Sequence, residues 1–413
     1  MHIRFNLKPL KVKITNYLNT PTFLYLLQLI SLRLLIMKFV LAPDKFKSSL
    51  TGLQFCKIVT QGLEEIHPHA EVVCLPLADG GDGSIDILEY HLNGLRVKAI
   101  VNDPLFRPTE AHYLYMDSIK TAFIEMAAAS GLALLKPVEQ NCFYTTSLGT
   151  GELIKDAIKK GAKTIILGIG GSATNDCGMG MATALGYQFL DENGNTLNPI
   201  GKNLSKVYSI NTDNVVETLK DIDFKVACDV TNPLFGKNGA AFIYGPQKGA
   251  SKEEILYLDE GLHHISNIFK EQFKRDIKQV QGAGAAGGMG AGSLIFLNAE
   301  LKSGIDLFKD LIEFDAKIKG ADWILTGEGK LDEQTLSGKT IQGVLKSASQ
   351  NRIPVAALCG SSLLSKQRVK AFGISYLDTI IGVAKNLEDA INNSEHYLSI
   401  IATKFAKSLI NNN

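Results

Sequence analysis

No two cysteines in this chain are spaced to share a metal. The six (Cys56, Cys74, Cys142, Cys177, Cys228 and Cys359) are scattered over 413 residues without a C-x-x-C pair. That pattern is neither a zinc site nor a disulfide framework, and it fits reduced thiols in a cytoplasmic protein. A charge excess is also missing. Lys and Arg number 43 against 42 Asp and Glu, a formal charge of +1, so little is present to neutralise a phosphodiester backbone and no nucleic-acid partner is expected. None of the eight histidines falls in a glycine-rich segment, which leaves acid–base chemistry to carboxylates. The apolar run Phe23–Ile36 is broken by Gln28 and Arg33 and is too short to span a bilayer.

That run closes a leader, residues 1–36, which is basic and contains no acidic residue. It is expected to lie outside the fold, with "MKFVLAPD" from Met37 opening the first strand. Beyond it, short β-like runs alternate with amphipathic stretches: Lys38–Ala42 before Leu53–Ile66, Glu71–Leu77 before Asp82–His91, Lys163–Ile169 before Asn175–Leu185, and Trp323–Thr326 before Thr340–Ser349. Such alternation predicts an α/β protein with parallel sheet. The middle breaks the rhythm. Val97–Val101, Glu110–Met116 and Ala122–Met126 read as strands without helices between them, and Lys225–Asp229 and Ala240–Tyr244 are similar. The expected architecture is a Rossmann-like parallel-sheet domain (37–92 and 287–413) with a second, mixed-sheet α/β domain inserted at 93–286.

Chemistry concentrates at the expected strand ends, where open α/β sheets bind ligands. "APDKFKSSL" offers Lys45, Lys47 and the hydroxyls of Ser48 and Ser49 to an anion, beside Asp44. "LADGGDGS" sets Asp79 and Asp82 on glycine-rich backbone, a hard-oxygen set suited to Mg²⁺ or a tight turn. "GIGGSATNDCGMGM" has five glycines between Gly168 and Gly180. Gly170, Gly171 and Ser172 can present backbone N–H groups to an anion, while Asn175 and Asp176 add an amide and a carboxylate. "ACDVTNPLFG" supplies Asp229, Thr231 and Asn232, and "LTGEGKLDEQTLSGKT" supplies Glu328, Lys330 and Asp332. The tail Gly338-Lys339-Thr340 imitates half a P-loop, but Glu333 stands where its first glycine belongs. In "GAGAAGGMGAG", Gly282, Gly284 and Gly287 spell G-x-G-x-x-G without a good strand before it. Close packing or a loop over phosphates accounts for it as well as a dinucleotide site does. Carboxylates, a few lysines, hydroxyls and bare backbone together are what phosphoryl transfer needs.

These segments, in this order, resemble the bacterial glycerate kinase family that includes glycerate 2-kinases. The resemblance runs through "APDKFKSSL", "PLADGGDGS", "TSLGTGELIKDAIKKGAKTIILGIGGSATNDCGMGMATALGYQF", "ACDVTNPLFGKNGAAFIYGPQKGA", "GAGAAGGMGAG" and "LTGEGKLDEQTLSGKT", from Met37 almost to the end. It departs at Lys45, Ser48, Asp82, Cys177, Lys330 and Glu333. It implies two α/β domains with a cleft between them and Mg²⁺- and ATP-dependent phosphorylation of D-glycerate to 2-phosphoglycerate. The 3-phosphate is the alternative product, and an oxidoreductase or a non-catalytic sugar-acid sensor are alternatives of other classes. On this reading Asp176 or Asp332 is the catalytic base, and Lys47 and Lys330 neutralise charge. Asp79, Asp229 and Glu328 serve the metal, and Gly170, Gly171, Ser172, Gly282, Gly284 and Gly287 meet phosphates. Asp44, Lys45, Asn175, Thr231 and Asn232 complete the binding set. The partners are small molecules, with no membrane, a homo-oligomer being allowed.

Overall fold

A computed structural model describes residues 36–46, 49–81, 83–333 and 339–410. The leader to residue 35, and with it the expectation about its role, lies outside the described residues, as do Lys47, Ser48 and Asp82. The chain divides into two compact units. Of the described residues, one unit contains those from 36 to 75 with Ile318–Asp332 and the chain from Leu345; the other contains those in Pro76–Lys317 and Glu333–Val344. These limits differ from the expected 92 and 287. Helix Ser84–His91 packs on the strands Pro108–Met116 and Thr121–Glu125, with Ile85 N donating to Glu125 at 3.0 Å, and helix Gly304–Leu311 packs on Asp223–Ala227. Both segments bury their apolar sides in the second unit.

The first unit is a five-stranded parallel sheet in the order Ile374–Thr379, Val355–Cys359, Trp323–Thr326, Lys38–Leu41, Glu71–Cys74. Its central strands are near-continuous apolar runs, as strands covered on both faces must be. "VAALC" is buried at all five positions. Helix Gly52–Ile66 begins at a capping box, in which Thr51 and Gln54 each accept from the other's backbone N–H, satisfying two donors that a helix start would otherwise leave bare. It turns Phe55, Val59 and Leu63 inward, against helix Ser394–Ile410 with its Leu398, Ile401 and Phe405.

The second unit is a six-stranded mixed sheet in the order Glu300–Lys302, Asp223–Ala227, Thr164–Gly168, Thr121–Glu125, Pro108–Met116, Leu95–Asn102. Its first four strands run parallel, and the last three form an antiparallel meander that shares Thr121–Glu125. The strand runs read from the middle of the sequence are there, with one correction. Ala240–Tyr244 is a helix. "AAFIY" is too short for periodicity to separate helix from strand, and it buries Ala240 and Ala241 while Ile243 stays exposed. A second difference is that Asn175–Leu185 is helical only over Met179–Ala184. Cys177 and Gly178, at φ 55° and 71°, take left-handed conformations that no helix start continues through. Among the described residues no helix is long and apolar enough to cross a membrane.

Candidate functional site

The carboxyl ends of three parallel strands in the second unit are crossed by a single backbone segment. A Cβ on Gly168, the last residue of its strand, would fall 2.3 Å from Gly80 O, and one on Gly80 would fall 2.6 Å from the Ala227 Cβ. Only glycines allow the Asp79–Gly81 turn to lie that close. Gly304 closes the same corner from the helix after strand Glu300–Lys302. Its N–H donates to Asp229 Oδ1 at 3.0 Å, and a Cβ there would meet Asp79 O at 1.8 Å and Asp229 Oδ2 at 3.0 Å. Close backbone packing therefore brings Asp79, from one motif, and Asp229, from another, to one place.

That place is a cavity of about 380 Å³. Asp79, Gly170, Gly171, Ser172, Asp229 and Lys248 line it, with Tyr244, Gln247, Cys228 and Ala286 around them. Gly170 and Gly171 are exposed, Asp79 and Asp229 half-buried. Asp79 Oδ1 accepts from Gly81 N at 3.1 Å, an Asx turn that fixes its direction. Tyr244 is held by its hydroxyl, which donates to Asn232 Oδ1 at 2.7 Å. Asn232 thus acts on the cavity through Tyr244, whereas the exposed Thr231 does not line it.

Lys248 was not among the residues read from the sequence, where it stands as one lysine in the loop "GPQKGA". It is 3% exposed, and its Nζ donates to Ser172 Oγ and to Thr174 O, both at 2.7 Å. Burial drives its pKa down to about 8, with Cys142 and Asp176 pulling the other way. The one signal available was a cation two residues after Pro246 and directly before Gly249, a place where a solvent-seeking lysine is equally at home.

Asp176 is elsewhere. It is fully buried, and Oδ2 accepts from Ser147 N (2.8 Å), Ser147 Oγ (2.7 Å) and Gly180 N (3.1 Å) while Oδ1 accepts from Gly178 N (3.2 Å). Burial pushes its pKa upward, against the pull of these donors. This is the arrangement of a carboxylate that pins a loop and the start of helix Met179–Ala184, and it does not line the cavity. Asn175, 1% exposed, has no hydrogen-bond partner for either amide atom among the described residues. Gly282, Gly284 and Gly287 make close backbone approaches. Their Cβ atoms would lie 2.8 Å from Cys228 Sγ, 2.1 Å from Pro233 O and 2.0 Å from Thr174 O. The cavity is met by their neighbours Ala285 and Ala286, the latter at φ 52°.

The remaining candidates fall in the first unit. Asp44 N donates to Gly327 O at 2.9 Å, Asp44 Oδ1 accepts from the N–H of the exposed Lys45 at 2.7 Å, and Glu328 follows Gly327 at the end of strand Trp323–Thr326. Lys330 opens a short strand paired with Ser361–Ser362, and its Nζ lies 3.0 Å from Asp332 Oδ2. Asp332 is the more accessible member of the expected base pair, with 21% of its side chain exposed.

The model of the glycerate kinase family matches residues 39–410. The chain belongs to the glycerate kinase family. A glycerate kinase of Bacillus subtilis (strain 168) is 40% identical over 90% of this chain and 98% of its own, and a glycerate 2-kinase of Escherichia coli (strain K12) is 42% identical over 86% and 93%. A solved structure assigned to a glycerate kinase 2 from Salmonella typhimurium LT2 superposes with a TM-score of 0.82 at 39% identity. It covers 91% of this chain and 99% of that one. By this membership the chain is a kinase-type transferase, built on the α/β architecture of that family.

Proposed function

We propose that this glycerate kinase family member transfers the γ-phosphoryl group of ATP to the 2-hydroxyl of D-glycerate, in the cytoplasm, with Mg²⁺ as the metal. One observation carries the reading. The backbone at Gly170–Ser172, the Lys248 side chain and the Asp79 and Asp229 carboxylates share a single small cavity. The name borne by the Escherichia coli relative favours the 2-position.

The donors fit the metal. Among the described residues no three acidic, His or Cys groups cluster, and Mg²⁺ does not require such a cage. It keeps several waters and takes one or two carboxylates together with substrate phosphates. Asp79 and Asp229 are the two that would hold it, and bound there it would offset charge on phosphate oxygens. The protein's own part is positioning and charge stabilisation, which carry most of phosphoryl transfer. Gly170 and Gly171 leave backbone open to an incoming anion, Ser172 adds a hydroxyl, and Asp229 is kept in orientation by the Gly304 N–H. The acceptor hydroxyl must lose its proton. Asp332, being accessible, is the carboxylate we assign to that step, and such help is worth about 10²–10⁴-fold. Lys45, Lys47 and Lys330 are assigned to substrate or nucleotide charge, Asp44 to the substrate, and Glu328 to the metal through water.

The test is ³¹P NMR of the protein with ATP, Mg²⁺ and D-glycerate. A new phosphomonoester signal coupled to a single CH is the expected result. Coupling to a CH₂ would move the product to the 3-phosphate, and no phosphomonoester at all would refute the kinase reading for this acceptor.

A further inference from the structure

Lys248 poses a question of charge. The residue is 3% exposed, yet both acceptors its ammonium reaches, Ser172 Oγ and Thr174 O, are neutral. Taking an ammonium out of water costs far more than two neutral hydrogen bonds repay. Asp176 attracts it, but both Asp176 oxygens already serve four donors from Ser147, Gly178 and Gly180. Cys142, the other titratable group that acts on it, has its thiol pushed up to about 11 by burial and is neutral. Asp79 and Asp229 share its cavity, and among the described residues no carboxylate lies within ion-pair distance of it.

Its position is set from behind. Lys248 O accepts from Cys142 N at 3.0 Å, and Lys248 N donates to Gly245 O at 3.0 Å. Gly249 follows at φ 84°, where a Cβ would stand 1.8 Å from Gln140 O. On the other side Ala173 N donates to Ser130 O at 2.9 Å, so the Ser172–Thr174 backbone that Lys248 grips is anchored too. An ammonium has three donors. Two are spent on this loop, and the third is left for what enters the cavity.

We propose that Lys248 receives an anionic oxygen of the ligand, phosphoryl or carboxylate, and by the same ammonium positions the Gly170–Ser172 loop around it. The inference rests on the cavity being the anion site of the proposed reaction. It names the residue that supplies the positive charge there. Gly170 and Gly171 bring only backbone dipoles, and Asp79 and Asp229 repel an anion unless a cation intervenes, so an anion needs Lys248 protonated.

The experiment is calorimetric titration with inorganic sulfate, a phosphate-shaped dianion of constant charge between about pH 6 and about pH 10. The wild type, Lys248→Met and Lys248→Arg are compared, with thermal melts alongside. The wild type should bind at pH 7 and weaken as pH rises through about 8, where burial has brought the Lys248 pKa. Lys248→Met should bind roughly ten- to a hundredfold more weakly, the worth of one hydrogen bond to a charged group. Lys248→Arg, which keeps its charge, should retain binding into the alkaline range. In turnover assays the substrate whose KM rises in Lys248→Met identifies the source of the anion, nucleotide phosphate or hydroxy-acid carboxylate. Wild-type sulfate affinity in a folded Lys248→Met overturns the proposal, and so does a wild type that binds no sulfate at pH 7. If Lys248→Met melts early, Lys248→Arg decides, and an alkaline loss identical to the wild type's overturns the proposal. A protein that binds sulfate in this way but phosphorylates no glycerate refutes the substrate assignment and supports the role of Lys248.

Discussion

Two aspartates of the glycine-rich motifs have opposite surroundings. Asp229 is half-buried in the wall of a cavity, with the Gly304 N–H on one oxygen. Asp176 is sealed and meets four donors. Removing its carboxylate would leave several buried N–H groups unsatisfied, each costing about 1–3 kcal/mol. Asp176→Ala is therefore expected to lose at least about 3 kcal/mol in denaturant unfolding, with Asp176→Asn milder because one acceptor oxygen survives. A catalytic base at Asp176, one of the two carboxylates the resemblance offers for that role, makes the opposite forecast of lost turnover with the fold intact. An Asp176→Ala protein that melts like the wild type but is inactive would return Asp176 to the chemistry.

At the scale of the element, the glycines join segments rather than free them. The stretch Ala285–Phe296 carries three successive left-handed residues, Ala286, Gly287 and Gly288, before its regular helix begins. Gly287 there packs against Thr174 O, at the loop that Lys248 holds. Gly287→Ala meets both the positive φ of 69° and a 2.0 Å clash with backbone, and backbone has little room to yield. We expect a loss of at least about 2 kcal/mol, measured as a lower urea midpoint at unchanged slope. It should be accompanied by weaker sulfate binding as the Thr174–Ser172 segment shifts. Stability equal to the wild type's would show that this contact relaxes freely.

For the whole molecule, the two units have separate hydrophobic cores. One is built on Phe39, Phe55, Leu325 and Phe405, the other on Tyr113, Ile165, Phe224 and Phe296. Chains with more than one core often unfold in more than one step. The single tryptophan, Trp323, lies in the first unit's sheet against the Phe405 ring at 5.2 Å, so its fluorescence reports that unit. The fluorescence and far-UV circular dichroism transitions in urea should not coincide. Sulfate, bound in the second unit, should move the dichroism transition and leave the fluorescence transition where it was. A single shared midpoint that shifts as one with sulfate would show that the units unfold together.

What the sequence by itself determined is the local chemistry and the periodicity. Runs such as Trp323–Thr326 were legible as strands, the three runs at Val97–Val101, Glu110–Met116 and Ala122–Met126 fell in strands of the mixed sheet, and the glycine-rich motifs marked strand ends. Family membership was legible because so many motifs stand in register. Tertiary structure alone decided which motif residues face the cavity. Asp79 and Asp229, about 150 residues apart in the chain, meet through the close approaches at Gly80 and Gly304. Asp176 is turned inward although its motif looks more catalytic than either. Lys248, one of 43 Lys and Arg residues in the sequence, gains its character from burial against Ser172 and Thr174. A carboxylate or an ammonium carries the same formula in a loop or in a cavity, and only the packing around it sets whether its charge is spent on the fold or kept for a ligand.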